Sequence, residues 1–186
     1  MSLFLLRDPD CVLIHIPKTG GSTIRKGIWD KNYEGPAYGR IPEHWLPNFK
    51  FAFVRHPLDR LVSAWADFKQ LRNYKGSLDQ FIDIVLNDDI IFDENRQTTA
   101  ERIRHHVMPQ THPFFCLDQA DFVGRFETYE EDLNKILNKV GMPAADVGHH
   151  RKTQHSGWRE ILPDSTVDRL VRFYADDFSV LSYERP

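Results

Sequence analysis

The sequence is poor in cysteine, in long apolar runs and in any excess of one charge. Cys11 and Cys116 are its two cysteines, too few for a disulfide framework or a cysteine-built zinc site, and they suit a reducing compartment. The first apolar run, Leu3 to Leu6, is cut off by Arg7 and Asp8. It is too short for a secretion signal, and no later stretch approaches the ~18 apolar residues of a membrane span. Lys and Arg number 24 against 27 Asp and Glu, a formal net charge of −3. That balance gives no broad basic field with which to grip nucleic acid, so any bound anion must be held by a local site. The expectation is a soluble, cytoplasmic protein with no nucleic-acid or membrane partner, its oligomeric state left open.

What is present is an ordinary globular composition. Hydrophobic residues make up 41 % and charged residues 27 % of 186 positions, which argues against disorder and fits one domain over residues 1–186. Two short apolar runs, Cys11–Ile16 and Phe49–Val54, read as buried strands, and Asp121–Phe126 reads as a weaker third. Asn32–Pro47, rich in Gly, Pro and Tyr, reads as a long ordered loop. Helical spacing follows Pro57 (Leu61, Val62, Trp65, Phe68), and recurs at Leu78–Val85, Leu133–Val140 and Val167–Tyr174. Ser77 with Gln80, and Thr128 with Glu131, suggest capping boxes, and Gly141 a helix stop. Strands alternating with helices predict an α/β fold: a P-loop-like, three-layer domain with a small central parallel sheet flanked by helices.

Two segments carry chemistry. In Ile14-His-Ile-Pro-Lys-Thr-Gly-Gly-Ser-Thr23 a buried strand gives way to a glycine turn and a helix starting near Ser22. Such a turn aims backbone N–H groups and the positive helix end at one spot, a cradle for phosphate or sulfate. Lys18 adds a charge, and Thr19, Ser22 and Thr23 add hydroxyls beside Gly20 and Gly21. The order is not that of a Walker A loop, because the lysine precedes the glycines. In Phe51-Ala-Phe-Val-Arg-His-Pro-Leu-Asp-Arg-Leu-Val-Ser-Ala-Trp65 a second strand delivers Arg55 to its carboxyl end, and the following helix carries Ser63. Arg and Ser there suit a second phosphate. The competing structural readings are a plain glycine turn for the first segment and an Arg55–Asp59 ion pair for the second.

Together the two segments resemble the sulfotransferases that use 3′-phosphoadenosine-5′-phosphosulfate (PAPS), in particular the carbohydrate type and its bacterial relatives. The resemblance implies that Pro17–Thr23 is the 5′-phosphosulfate loop and that Arg55 and Ser63 contact the 3′-phosphate. His106-Val-Met-Pro-Gln110, Phe122-Val-Gly-Arg-Phe-Glu127 and Glu131-Asp-Leu133 are similar to later family signatures. His150-Arg-Lys-Thr153 is similar to a segment of heparan sulfate 2-O-sulfotransferase that folds over the nucleotide, which implies contacts from Arg151, Lys152 and Thr153. The implied reaction is in-line transfer of a sulfuryl group from PAPS to an acceptor hydroxyl, with a saccharide among the candidates, leaving adenosine 3′,5′-bisphosphate (PAP). Lys18 would stabilise the leaving phosphate oxygen.

Related enzymes take the hydroxyl proton with a His between the two motifs, and His44 is the one histidine there. Glu43 beside it is a rival base. His105/His106/His112 and His149/His150/His155 have spacings loosely suited to zinc, but adjacent histidines on a helix diverge, and no metal is expected. Two alternatives stay open: a P-loop kinase of a small nucleotide or sugar, and a non-catalytic nucleotide-binding module of the same fold.

Overall fold

The computed structural model describes residues 2–90, 98–146 and 157–186. Its strands are β1 (Ser2–Leu6), β2 (Cys11–His15), β3 (Tyr33–Ala37), β4 (Phe49–Val54) and β5 (Phe122–Arg125). Its α-helices are α1 (Gly21–Thr23), α2 (Pro57–Leu71), α3 (Leu78–Val85), α4 (Thr99–Val107), α5 (Tyr129–Lys139), α6 (Trp158–Ile161), α7 (Asp164–Phe173) and α8 (Ala175–Val180). A π-helical turn, Ile24–Ile28, continues α1 without a break. The chain forms two compact units: residues 2–55 with 110–146, and residues 56–90, 98–109 and 157–186. Among the described residues no helix is long and apolar enough to cross a membrane.

The first unit holds one five-stranded sheet in the order β3-β1-β2-β4-β5. The fold class is α/β as expected, but the sheet is mixed. β2, β4 and β5 run parallel, whereas β1 is antiparallel to both β2 and β3. The expectation missed β1 because Leu3–Leu6 is followed at once by the Arg7–Asp10 hairpin turn, and it missed β3 because Tyr33–Ala37 contains Gly35 and Pro36. Proline removes a ladder donor and is tolerated at a sheet edge, where β3 lies.

Alternation along the strands divides this unit's core into two faces. Phe4, Leu6, Cys11, Leu13, Phe51 and Phe53 pack with Ile24 and Trp29 and with Leu133, Ile136 and Leu137 of α5. Leu3, Leu5, Val12, Ile14 and Ala52 face the other way, against Ile41, Trp45 and Cys116. Phe51 and Phe53 are at most 1 % exposed, and burying each stabilises the fold by about 2–3 kcal/mol. The segment read as a loop therefore supplies both an edge strand and, through the 3₁₀ turn Glu43–Trp45, a plug for the second face.

The second unit is helical, with a core built by Leu58, Leu61, Val62 and Phe68 of α2, Phe81, Ile82 and Val85 of α3, and Leu170, Tyr174 and Phe178. The Ser77–Gln80 capping box forms as expected, and Thr98 with Glu101 forms another at the start of α4, a helix the apolar spacing did not reveal. Arg60 is 1 % exposed and donates to the carbonyls of His106, Val107 and Met108, closing the open carboxyl end of α4. The Thr128–Glu131 box does not form. Thr128 instead donates its hydroxyl to Asp132 at 2.8 Å.

Candidate functional site

Parallel pairing of β2 with β4 places their carboxyl ends side by side: Ile14 lies opposite Ala52, so Lys18 and Arg55 both follow the same edge of the sheet. Ligands of open α/β sheets bind at that edge. The structure brings the two cationic residues together there, with the Arg55 guanidinium donating from Nη1 to the Lys18 carbonyl at 3.4 Å. The same guanidinium lies 4.3 Å from the centroid of the Phe126 ring, a cation–π contact that holds its plane.

The loop between them is shaped by close packing. Lys18 has φ +67 and Gly20 φ +89. A Cβ on Gly20 would overlap the Tyr129 ring, and one on Gly21 would overlap the His15 ring. Both glycines are thus required by their neighbours, and Gly20 also by its backbone sign. Thr19 is 2 % exposed and donates its hydroxyl to the Ile16 carbonyl at 2.7 Å, so its side chain ties the turn to the end of β2. Tyr129 donates its phenol to the Gly20 carbonyl at 2.9 Å. Burial raises the Tyr129 pKa above its usual range, which keeps that proton in place. The Thr23 and Ile24 N–H groups bond back to the Gly20 carbonyl at 2.9 and 3.5 Å. Ser22 and Thr23 sit half-buried in the first turn, where helix geometry leaves the leading N–H groups without intrahelical partners.

Arg55 is held from its backbone too. Its N–H donates to Gln110 Oε1 at 2.9 Å, and Gln110 Nε2 donates back to the Arg55 carbonyl at 2.8 Å. At the end of β5, the Arg125 N–H donates to Asp132 Oδ2 at 2.9 Å, as the Thr128 hydroxyl does at 2.8 Å, and Lys135 reaches Oδ1 at 2.9 Å. Burial alone would raise the Asp132 pKa, but these bonds outweigh it and hold the carboxyl below its usual range. Gln110, Phe126, Tyr129 and Asp132 are therefore the supports of this edge. All four fall in or beside segments already visible as signatures, but nothing in their spacing gave them a role.

His44 is not brought to this edge. Its Nε2 lies 3.0 Å from Glu34 Oε1, which also accepts from Trp45 Nε1 at 3.2 Å, and Glu34 Oε2 accepts from Arg7 at 2.5 Å. Arg7 follows the Leu6↔Cys11 pair at the amino end of β2. Residues 46–48 sit at the amino end of β4, where Lys50 Nζ reaches the carbonyls of Leu46 and Asn48. Six residues of β4 at about 3.3 Å each put roughly 20 Å between that end and Arg55. The chain register, not the sequence order, decides the place of His44. The hydrogen bond from His44 leads the causes that lower the Glu34 pKa. Glu43 is exposed beside it.

Ser63 belongs to the second unit, buried in α2 at 3 % exposure. Arg151, Lys152 and Thr153 lie outside the described residues, as do His149, His150 and His155. Among the described residues no three His, Cys, Asp or Glu side chains group as a set of metal ligands.

Human carbohydrate sulfotransferase 14 is 30 % identical over 167 residues, 74 % of this chain and 43 % of that protein. Human carbohydrate sulfotransferase 9 is 28 % identical over 169 residues, 74 % of this chain and 38 % of the relative. Mouse carbohydrate sulfotransferase 12 is 24 % identical over 220 residues, covering 97 % of this chain and 51 % of the relative. The chain thus spans about half the length of these relatives or less. No solved structure matches it. The model of the sulfotransferase family matches residues 3–184, a span that takes in both cationic segments and every support of the edge they share, and on that match the chain belongs to the sulfotransferase family.

Proposed function

We propose that this protein transfers a sulfuryl group from PAPS to a hydroxyl of a saccharide acceptor. The observation that carries the reading is the contact of Arg55 with Lys18 across the carboxyl ends of β2 and β4. One residue from each motif meets the other at a single edge, as a two-phosphate nucleotide requires. The names of the relatives, all carbohydrate sulfotransferases, support a saccharide as acceptor.

The donor set fits PAPS by its chemistry: an ammonium, a guanidinium fork and helix-start N–H groups all favour anionic oxygens. When bound, PAPS supplies a sulfuryl group attached to a phosphate that leaves. The N–H groups of residues 20–22 hold the 5′-phosphate, and Lys18 donates to the oxygen on which charge grows during transfer, a contribution worth about 3–4 kcal/mol. Arg55 grips the 3′-phosphate with its fork. His44 takes no part in this reading, because its ring hangs from Glu34 at the other end of the strands.

The test is nucleotide discrimination followed by turnover. PAP at millimolar concentration is expected to raise the melting temperature, as any ligand of the native state does, and adenosine 5′-monophosphate to raise it less. Labelled PAPS with a panel of neutral and lightly charged saccharides is expected to give labelled product. Stabilisation by ATP with magnesium but not by PAP would sink the proposal in favour of a kinase. PAP binding with no transfer to any acceptor would leave a nucleotide-binding module instead.

A further inference from the structure

Gln110 is buried to 0 % exposure, and its side-chain amide closes a two-bond ring with one residue, Arg55, accepting from that residue's N–H at 2.9 Å and donating to its carbonyl at 2.8 Å. An amide that pairs with both polar groups of one residue acts as a strand neighbour would. It does so one residue past the end of β4, where ladder pairing with β5 stops at Val54↔Arg125. These two bonds hold the Arg55 backbone at the point from which its side chain is aimed. Phe126 holds the guanidinium from beneath at 4.3 Å, and the Lys18 carbonyl holds its edge at 3.4 Å. Backbone and side chain of Arg55 are thus fixed independently, the first by Gln110.

We infer that Gln110 is a positioning residue for nucleotide recognition: it sets the direction of Arg55 and through it the selectivity for a 3′-phosphate. A polar group this buried must be satisfied, and Gln110 meets that need on the Arg55 backbone, so an apolar residue here would remove both bonds. Both side-chain polar atoms of Gln110 bond the backbone of Arg55, the residue that carries the cationic fork of the second motif. The inference rests on the proposed binding of a 3′-phosphate by Arg55. A group that only positions another has no effect once the other is gone, which is what a double-mutant cycle measures.

The experiment measures the affinity of the full chain for PAP and for adenosine 5′-monophosphate by calorimetry in wild type, Gln110→Met, Gln110→Glu, Arg55→Ala and the double variant Gln110→Met/Arg55→Ala. Gln110→Met is expected to weaken PAP about tenfold while changing the monophosphate less than twofold, since the amide is lost and the loop is untouched. Gln110→Glu keeps the acceptor for the Arg55 N–H and is expected to recover part of the loss. In the Arg55→Ala background the further change from Gln110→Met is expected to be below twofold. Equal weakening of both nucleotides, or the same loss with and without Arg55, overturns the inference and leaves Gln110 a structural residue. If Gln110→Met does not fold, the comparison of Gln110→Glu with and without Arg55→Ala decides by the same criterion. Wild type that does not prefer PAP, or Arg55→Ala that keeps the preference, overturns the parent reading and the inference with it.

Discussion

The guanidinium of Arg55 donates to the carbonyl oxygen of Lys18, joining the two cationic segments of the sequence at one edge of one sheet. Because the donor is a side chain and the acceptor a backbone group, the bond fixes the loop to which Lys18 belongs. Charge alone does not reproduce this. Arg55→Lys keeps the positive charge but loses the fork and the flat face that lies on Phe126, and is expected to weaken PAP by roughly tenfold or more. Calorimetry at fixed salt checks it. Unchanged affinity in the lysine variant would mean that Arg55 acts only as a diffuse charge.

His44→Ala is expected to retain transfer and PAP affinity within about threefold, a change no larger than ~0.7 kcal/mol. The reason is position: the imidazole pairs with Glu34 beside Arg7, at the amino ends of the strands. The pair is exposed, so its loss also changes stability little. Initial rates with labelled PAPS, with melting temperature as control, make the comparison. Abolished turnover with an unaltered melting temperature would restore His44 as the base.

That contrast shows what sequence can and cannot carry. Strands β2 and β4, the helices at Pro57, Leu78 and Val167, and the Ser77–Gln80 cap were legible because each rests on local spacing or local hydrogen bonds. Lys18 and Arg55 were legible because each follows a strand end. The antiparallel β1 was not, since the pairing of Leu3 with Ile14 is a tertiary choice. Nor was β3, whose Gly35 and Pro36 read as loop residues until an edge position accommodates them. The place of His44 depends on the register of β1 against β3, where Leu5 lies opposite Glu34, and no property of residues 42–45 encodes it. Gln110 stayed silent because its partner is 55 positions away.

Gly20→Ala and Tyr129→Phe test the loop from opposite sides. Alanine at 20 meets the Tyr129 ring and must adopt φ +89, a conformation costing an L-residue about 1–2 kcal/mol before any overlap is counted. It is expected to lower the melting temperature and abolish detectable PAP binding. Tyr129→Phe keeps the ring and removes the donor to the Gly20 carbonyl, costing about 1 kcal/mol and loosening PAP severalfold. A Gly20→Ala variant that binds PAP like wild type would mean the loop conformation is not the binding one.

Asp132 ties the end of β5 to α5, accepting from the Arg125 N–H, Thr128 and Lys135. Its pKa is lower in the folded protein than in the unfolded chain, the hydrogen bonds overriding burial. Between those two pKa values the unfolded state binds more protons, so the stability from Asp132 is complete above the unfolded value near 4. It is lost as pH falls through the lower, folded value. Asp132→Asn is therefore expected to destabilise the protein at pH 7 by about 1.5–3 kcal/mol, the worth of bonds to a charged acceptor, and to differ progressively less from wild type as acid is added below pH 4. Paired urea denaturation curves across that range measure the difference. A gap between the two proteins that stays constant down to the acid limit would show that Asp132 supports the edge by shape and not by its charge.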